Sequence, residues 1–271
     1  MRVGVAGWAA WAPGLETRAS WRDWARAPQP LAREGQPDAR FLPAMLRRRC
    51  TPLSRILLWA AMEACPQERR AEVRTVFSSR HGSINESVAL LENVARGEKL
   101  SPARFSHTVH NAQAGLFSIA TGNRCASSSL AAREDSFGCG LLEALGHLER
   151  EPQRPVLFVT GDVPLDPVFA SLVDEPTCAY GVGLLLCRDA DQPGFRVSVR
   201  PAQRAGRSPW PPAAAFLGGW LREESRFGLE TARHAWSFLR SGPDEERETR
   251  PGRRLASAGA PGSAVDASEH Q

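Results

Sequence analysis

Apolar positions along the chain come in runs of two kinds, and the two alternate. "RVGVAGWAAW" at 2–11 predicts a buried strand ending in a glycine-containing turn. "TPLSRILLWAAMEAC" has the helical period instead. Thr51 can cap it, Pro52 suits its first turn, and Leu53, Ile56, Leu57, Ala60, Ala61 and Ala64 share one face. "EVRTVFSS" (72–79) returns to strand. "NESVALLENVARG" (85–97) predicts a helix from Asn85 to Gly97, and "HNAQAGLFSIATG" (110–122) another, closed by Gly122. A strand at 127–132 leads into a helix at 136–149 with Phe137, Leu141, Leu145 and Leu148 on one stripe. Strands "PVLFVTG" (155–161) and "CAYGVGLLLC" (178–187) follow, then a short helix, "AAAFLGGWL" (213–221). Residues 16–50, with several prolines and with Trp21 and Trp24, read as irregular.

This alternation predicts an α/β fold: a largely parallel mixed sheet with helices on both faces. Near-continuous apolar strands such as "VLFV" fit a sheet covered on both sides. One domain is expected over 1–240. From 241 to 271 the chain is Pro, Gly, Arg, Ser and acidic residues without a period, so it is expected to be a disordered tail.

Composition narrows the function classes. A formal charge of +4 over 271 residues is too small for a dedicated nucleic-acid binder, and "MLRRRC" (45–50) is the only dense basic run. No window has the apolar length of a membrane span, and the N-terminus lacks a secretory leader's pattern. The six cysteines show no C-x-x-C spacing, so they read as reduced thiols of a cytoplasmic protein. No phosphate loop or dinucleotide fingerprint follows a strand, and no cofactor is expected.

Candidate chemistry is sparse. Ser79 and His81 in "SSRHGS" lie close in sequence at a strand end, where a nucleophile–base geometry is hard to reach. His107 and His110 share a helical spacing but lack a third metal ligand, so a helix start is the simpler reading. Glu134 and Asp135 stand at the start of the 136–149 helix, whose dipole stabilises an anion. Asp135 reads as the N-cap, whereas Glu134 has no such explanation. Neighbouring carboxylates point apart, which argues against glycosidase chemistry.

The block "FSSRHGSINESVALLENVARGEKLSPARFSHTVHNAQAGLFSIATG" (77–122) strongly resembles the N-terminal half of β-ketoacyl synthases. It has a glycine-bearing strand end, a helix, "SP" with a phenylalanine, then an "HNA" helix ending in glycine. "LRRRCTPLSRILLWAAMEA" and "CAYGVGLLLC" are similar to the family's early helix and closing strand, so the likeness runs from residue 2 to about 190. The nearest likeness is to the short chain-length-factor type of aryl polyene and related pigment pathways, which implies a thiolase-like fold. Aligned without gaps from Asn111, the family's catalytic cysteine falls on Glu134. Cys125 lies well upstream and Cys139 more than a turn downstream. The family's two later catalytic histidines have no match either: beyond residue 190 the sequence has His234 and His270, in "ARHAWS" and "SEHQ".

The resemblance therefore implies a non-catalytic subunit that pairs with a full-length β-ketoacyl synthase and meets the acyl carrier protein through that complex. It also implies pairing through the strand before the helix, at Ser127, Ser128, Ser129, Leu130 and Ala131. Two other readings stay open: a malonyl decarboxylase or acyl-transfer enzyme using Glu134, and an inactive structural remnant.

Overall fold

The structure is a computed structural model that describes residues 1–173, 177–203 and 208–242. The expected tail lies, apart from Ser241 and Gly242, outside the described residues. Eight strands form one sheet in the order β3-β2-β4-β5-β1-β6-β8-β7. They are β1 (Arg2–Trp11), β2 (Arg74–Ser78), β3 (Ser127–Leu130), β4 (Val156–Asp162), β5 (Tyr180–Cys187), β6 (Gly194–Pro201), β7 (Arg226–Glu230) and β8 (His234–Ser241). The helices are α1 (Arg18–Arg26), α2 (Ala44–Arg47), α3 (Pro52–Ala64), α4 (Ile84–Ala95), α5 (Pro102–Phe105), α6 (Ala112–Thr121), α7 (Ser136–Arg150) and α8 (Pro212–Leu221).

The α/β architecture and the mixed sheet are as the sequence predicts, with a smaller parallel share than expected. β2 pairs in parallel with β3 and β4, and every other pairing is antiparallel. Parallel neighbours need a long crossover, and here helices α4 to α7 supply it. Beyond β4, β1 inserts between β5 and β6, and α8 lies between β6 and β7 in the chain, with β8 paired antiparallel between those two strands.

Both faces are covered, and each has its own core. α3 and α6 close one face around Leu53, Leu57, Phe77, Phe117 and Leu157. α1, α7 and α8 close the other around Trp21, Phe137, Phe158, Phe216 and Trp236. The sheet's buried middle is β4, whose residues Val156–Gly161 are buried on both faces. α7 fits between β4 and β8 because it carries glycine where each comes closest. A Cβ on Gly140 would overlap the Phe158 ring and Ser78, and one on Gly138 would overlap the Trp236 indole.

Two regions differ from the sequence reading. Residues 16–50 hold α1, opened by a Thr17–Ser20 capping box and burying Trp21, Trp24 and Ala25. Its arginines face water, and it is short enough for the surrounding prolines to mask the period. The second region is 194–241, which adds β6, β8 and β7 to the sheet. The signal was a two-residue alternation, as in "AWSF", whose Trp236 and Phe238 point into the α7–α8 core.

Candidate functional site

The strand-to-helix turn at 131–136 is stitched by Ser136. Its Oγ accepts from Ala132 N at 2.9 Å and donates to Arg133 O at 2.6 Å. That holds Arg133 at φ 56°, a left-handed conformation that costs a side-chain-bearing residue about 1–3 kcal/mol. Glu134 follows at once, its side chain 18% exposed and 3.8 Å from Arg133 Nε. It stands at the positive end of α7, where a carboxylate is favoured electrostatically.

Asp135 is not the side-chain cap that the sequence suggests. It occupies the N-cap position without a capping hydrogen bond. Its buried carboxylate turns to the β7–β8 hairpin instead, accepting from Thr231 Oγ1 at 2.8 Å and Trp236 Nε1 at 3.0 Å. His234 Nδ1 lies 2.8 Å from its other oxygen. A buried carboxylate demands several donors, and one helical N–H would leave it short. His234, unmatched to any synthase motif, thus has a place in the fold beside the aligned nucleophile position.

Glu134 lines a narrow cleft with Arg80, His81, Asp162, Cys178 and Tyr180, and the cleft offers about 30 Å³ of room. Asp162, at the end of β4, is a site residue the sequence reading missed. The signal was a charge ending an otherwise apolar strand. It accepts from Ser79 Oγ at 2.6 Å, from the backbone N–H groups of His81 (3.1 Å) and Arg80 (3.2 Å), and from Tyr180 OH at 3.4 Å. Burial pushes its carboxyl above the usual range, against those hydrogen bonds and the nearby His81. Ser79 therefore gives its proton to Asp162 rather than to a histidine base. His107 is buried, which lowers its pKa, and His110 is exposed. Among the described residues no group of three or more His, Cys, Asp or Glu side chains could hold a metal ion.

Four of the six cysteines sit where the thiol is pushed away from activation. All six are free. Burial raises the thiol pKa of Cys50, Cys187 and Cys65, the last to about 11. In Cys139, on α7, burial and the Asp135 charge both push it up. A thiolate nucleophile needs the opposite environment.

The residues Ser127–Ala131 lie on the outer edge of the sheet and just beyond it. β3 pairs only with β2. Thr75 N donates to Ala126 O and Ser79 N to Leu130 O, so the even-numbered residues face β2. By alternation, the backbone N–H and C=O of Ser127, Ser129 and Ala131 face outward. Exposed apolar side chains flank this edge, Ile119 on α6 (71% exposed) and Leu142 on α7 (41% exposed).

Comparison with known proteins adds the family. The description of the β-ketoacyl synthase N-terminal domain matches residues 21–238. No curated protein matches the chain. Among solved structures, a ketosynthase (ApeO) in complex with its chain length factor (ApeC) from Xenorhabdus doucetiae is similar at 29% identity and TM-score 0.76. That match covers 88% of this chain and 99% of that one. The ishigamide ketosynthase/chain length factor is similar at 16% identity and TM-score 0.59, over 74% of this chain and 68% of that one. The AntDE:AntF structure, a type II polyketide synthase acyl-carrier protein in complex with its ketosynthase, matches at 11% identity and TM-score 0.67, over 89% and 99%. The last two likenesses speak for the fold alone. Among the described residues no helix is long and apolar enough to cross a membrane.

Proposed function

Because the chain belongs to the β-ketoacyl synthase N-terminal-domain family, we propose that it is a chain-length-factor-like subunit that condenses nothing itself. It pairs with a full-length ketosynthase in polyketide-type biosynthesis, of the aryl polyene kind, and meets the acyl carrier protein through that complex. The whole of 1–240 acts as the ketosynthase-like domain, in the cytoplasm. The observation that carries this reading is a carboxylate, Glu134, at the α7 turn where the family's catalytic cysteine aligns. The raised thiol of Cys139 supports it, because no neighbouring sulfur replaces the nucleophile. So does the cleft, whose roughly 30 Å³ suits a water rather than an acyl chain, since ligand sites run to about 300–1,000 Å³. The similarity to a ketosynthase–chain length factor complex supports the partner.

Partner pairing runs through β3. Its outward backbone groups and the flanking Ile119 and Leu142 would be covered by the ketosynthase's own edge strand.

The test is Glu134→Gln, co-expressed with a ketosynthase and assayed for condensation and for complex size. Activity is expected to stay within about twofold, because neutralising a charge at a helix N-terminus costs only about 0.3–1 kcal/mol. A general base stripped of its carboxylate would instead lose about a hundredfold or more. That loss in an intact complex would establish the decarboxylase reading. A stable chain that ignores every ketosynthase would leave the remnant.

A further inference from the structure

The run "MLRRRC" (45–50), the dense basic stretch of the sequence, takes no part in the site described above. The fold brings it to the surface. Leu42 and Leu46 are buried in the core under α3 and α6, and Cys50 Sγ donates to Leu46 O, so the segment is pinned on one side. Arg47 N donates to Pro43 O at 2.9 Å and Arg48 N to Ala44 O at 3.2 Å, which closes α2 into a short turn. The other side faces water. Phe41 is 39% and Met45 71% exposed, and Pro43 and Ala44 between them are exposed as well.

Arginines follow directly. Arg48 and Arg49 are exposed and Arg47 is half-buried. Among the described residues none of the three takes part in an ion pair, whereas Arg74 pairs with Glu151 and Arg222 with Glu224. Ala44 and Arg48, like Met45 and Arg49, stand about one turn apart, so apolar and basic side chains adjoin. The nearby carboxylates are already engaged. Asp38 pairs with Arg40 and accepts from its backbone N–H. Glu86, whose charge reaches His107 as that of Arg49 does, pairs with Arg104 at 3.5 Å.

We propose that the 41–49 turn anchors the protein on an anionic lipid surface. Phe41 and Met45 enter the headgroup boundary, and Arg48 and Arg49, with Arg47 beside them, bind lipid phosphates. Unpaired arginines select an anionic partner, and the apolar tip selects its kind. Single-stranded nucleic acid wants several aromatic faces, and this turn offers one. A carboxylate-rich protein face would press its charges against Met45 and Phe41 and desolvate them there. A lipid headgroup layer takes both parts at once: guanidinium groups at the phosphates on snorkelling stems, and apolar side chains about 5–10 Å deeper. Two side chains and three charges make a reversible anchor. The proposal does not rest on the function proposed above; joined to it, the anchor would hold the condensing complex beside a bilayer.

The experiment sediments the full chain with sucrose-loaded vesicles of phosphatidylcholine containing about 30% phosphatidylglycerol. The chain is used in its ketosynthase complex where that forms and alone where it does not. Size-exclusion chromatography scores the complex separately, so a failed partner and a failed anchor are told apart. Wild type is expected to partition about tenfold more strongly onto these vesicles than onto phosphatidylcholine alone, and to be released as NaCl rises from about 50 to about 300 mM. Arg48→Glu with Arg49→Glu is expected to weaken partitioning about tenfold or more. Phe41→Ser with Met45→Ser is expected to weaken it about fivefold or more at unchanged charge. Arg196→Glu with Arg200→Glu, at exposed positions of β6, changes the charge equally and is expected to alter partitioning less than about twofold. Thermal melts show that each variant is folded. Full binding by either double variant of the turn overturns the proposal, as does an equal loss in the β6 pair. Wild type that ignores the vesicles overturns it too, and so does an Arg48–Arg49 dependence found only for RNA or for a carrier protein.

Discussion

At one edge of the sheet stands β3, Ser127–Leu130, without a charged residue and flanked by exposed Ile119 and Leu142. At the other stands β7, Arg226–Glu230, with a charged residue at each end and both apolar side chains, Phe227 and Leu229, turned inward. An unpaired strand edge is a template for association, and charge is the usual guard against it. The chain guards one edge and leaves the other bare. It also fastens them differently. The β7–β8 end is tied to α7 through the buried Asp135, with Thr231, His234 and Trp236 as partners. On the β3 side, Ser128 Oγ donates to Glu143 at 2.8 Å on the exposed side of α7. The contrast fits the proposed role, in which one end is finished and the other awaits a partner.

The largest effect should come from cutting the finished end loose. Asp135→Ala leaves the donors of Thr231, Trp236 and His234 facing a void. Leaving buried donors such as Trp236 Nε1 unpaired costs about 1–3 kcal/mol each, and the cavity adds to that. For a chain of this size that is roughly a 10 °C fall in Tm, read by thermal unfolding. A shift under about 2 °C would mean that the hairpin is held by packing alone and that the two ends are alike.

The bare edge is tested by Ser129→Pro. Proline removes an N–H that faces outward and leaves the β2–β3 ladder intact, so an unpaired β3 should tolerate it. A β3 that pairs with a ketosynthase should not, because each buried backbone group left without a partner costs about 1–3 kcal/mol. Complex affinity should fall about thirtyfold or more while Tm changes little. Unchanged affinity would move the interface away from β3.

How much of this contrast could be read from the sequence depends on the kind of signal. The bare edge was legible: "SSSL" sits between two helical periods and before a turn, and the family likeness marked it as a partner surface. The guarded edge was not. β6, β7 and β8 alternate apolar and polar residues over short runs amid arginines, and nothing local tells such a run that it will extend a sheet begun by β1 some 190 residues earlier. Glu134 was legible as a misfit at a helix start. Asp135 was misread because a cap is the local option, whereas its true donors arrive from a hairpin 96 to 101 residues away. Asp162 escaped because two of its four donors are backbone N–H groups, which leave no trace in sequence, and the hydroxyls of Ser79 and Tyr180 arrive from 83 and 18 residues away.

A smaller effect should follow from disarming the guard. Arg226→Thr with Glu230→Thr keeps strand propensity and removes the charges. In the complex, where β3 is covered, wild type should stay monodisperse, and the double variant should show concentration-dependent association by sedimentation velocity. Threonine pairs add only about 0.2–1 kcal/mol per cross-strand contact, so the association should be weak. If the variant sediments like wild type, charge is not what keeps β7 unpaired.

The smallest effect is a pH dependence that separates the two buried carboxylates. Asp135 faces a histidine, whereas Asp162 is met by hydroxyl and backbone donors, and burial dominates it, raising its pKa. A carboxyl whose folded pKa lies above its unfolded value contributes stability that is fully present below the unfolded pKa. That contribution is lost as pH rises through the folded pKa. Holding Asp162 ionised in the fold therefore carries a cost that protonation relieves. Asp162→Asn cannot titrate, so subtracting its stability cancels every other ionising group. The difference, wild type minus variant, should shift in favour of wild type as pH falls from neutral towards the ordinary carboxylate range. Its absolute value can take either sign, since Asn keeps an acceptor for Ser79 but turns an N–H towards the other donors. Denaturant midpoints at several pH values give the slope. A difference that stays flat with pH would mean that the hydrogen bonds from Ser79, Arg80, His81 and Tyr180 fully offset burial, and that Asp162 is as comfortable charged as a surface carboxylate.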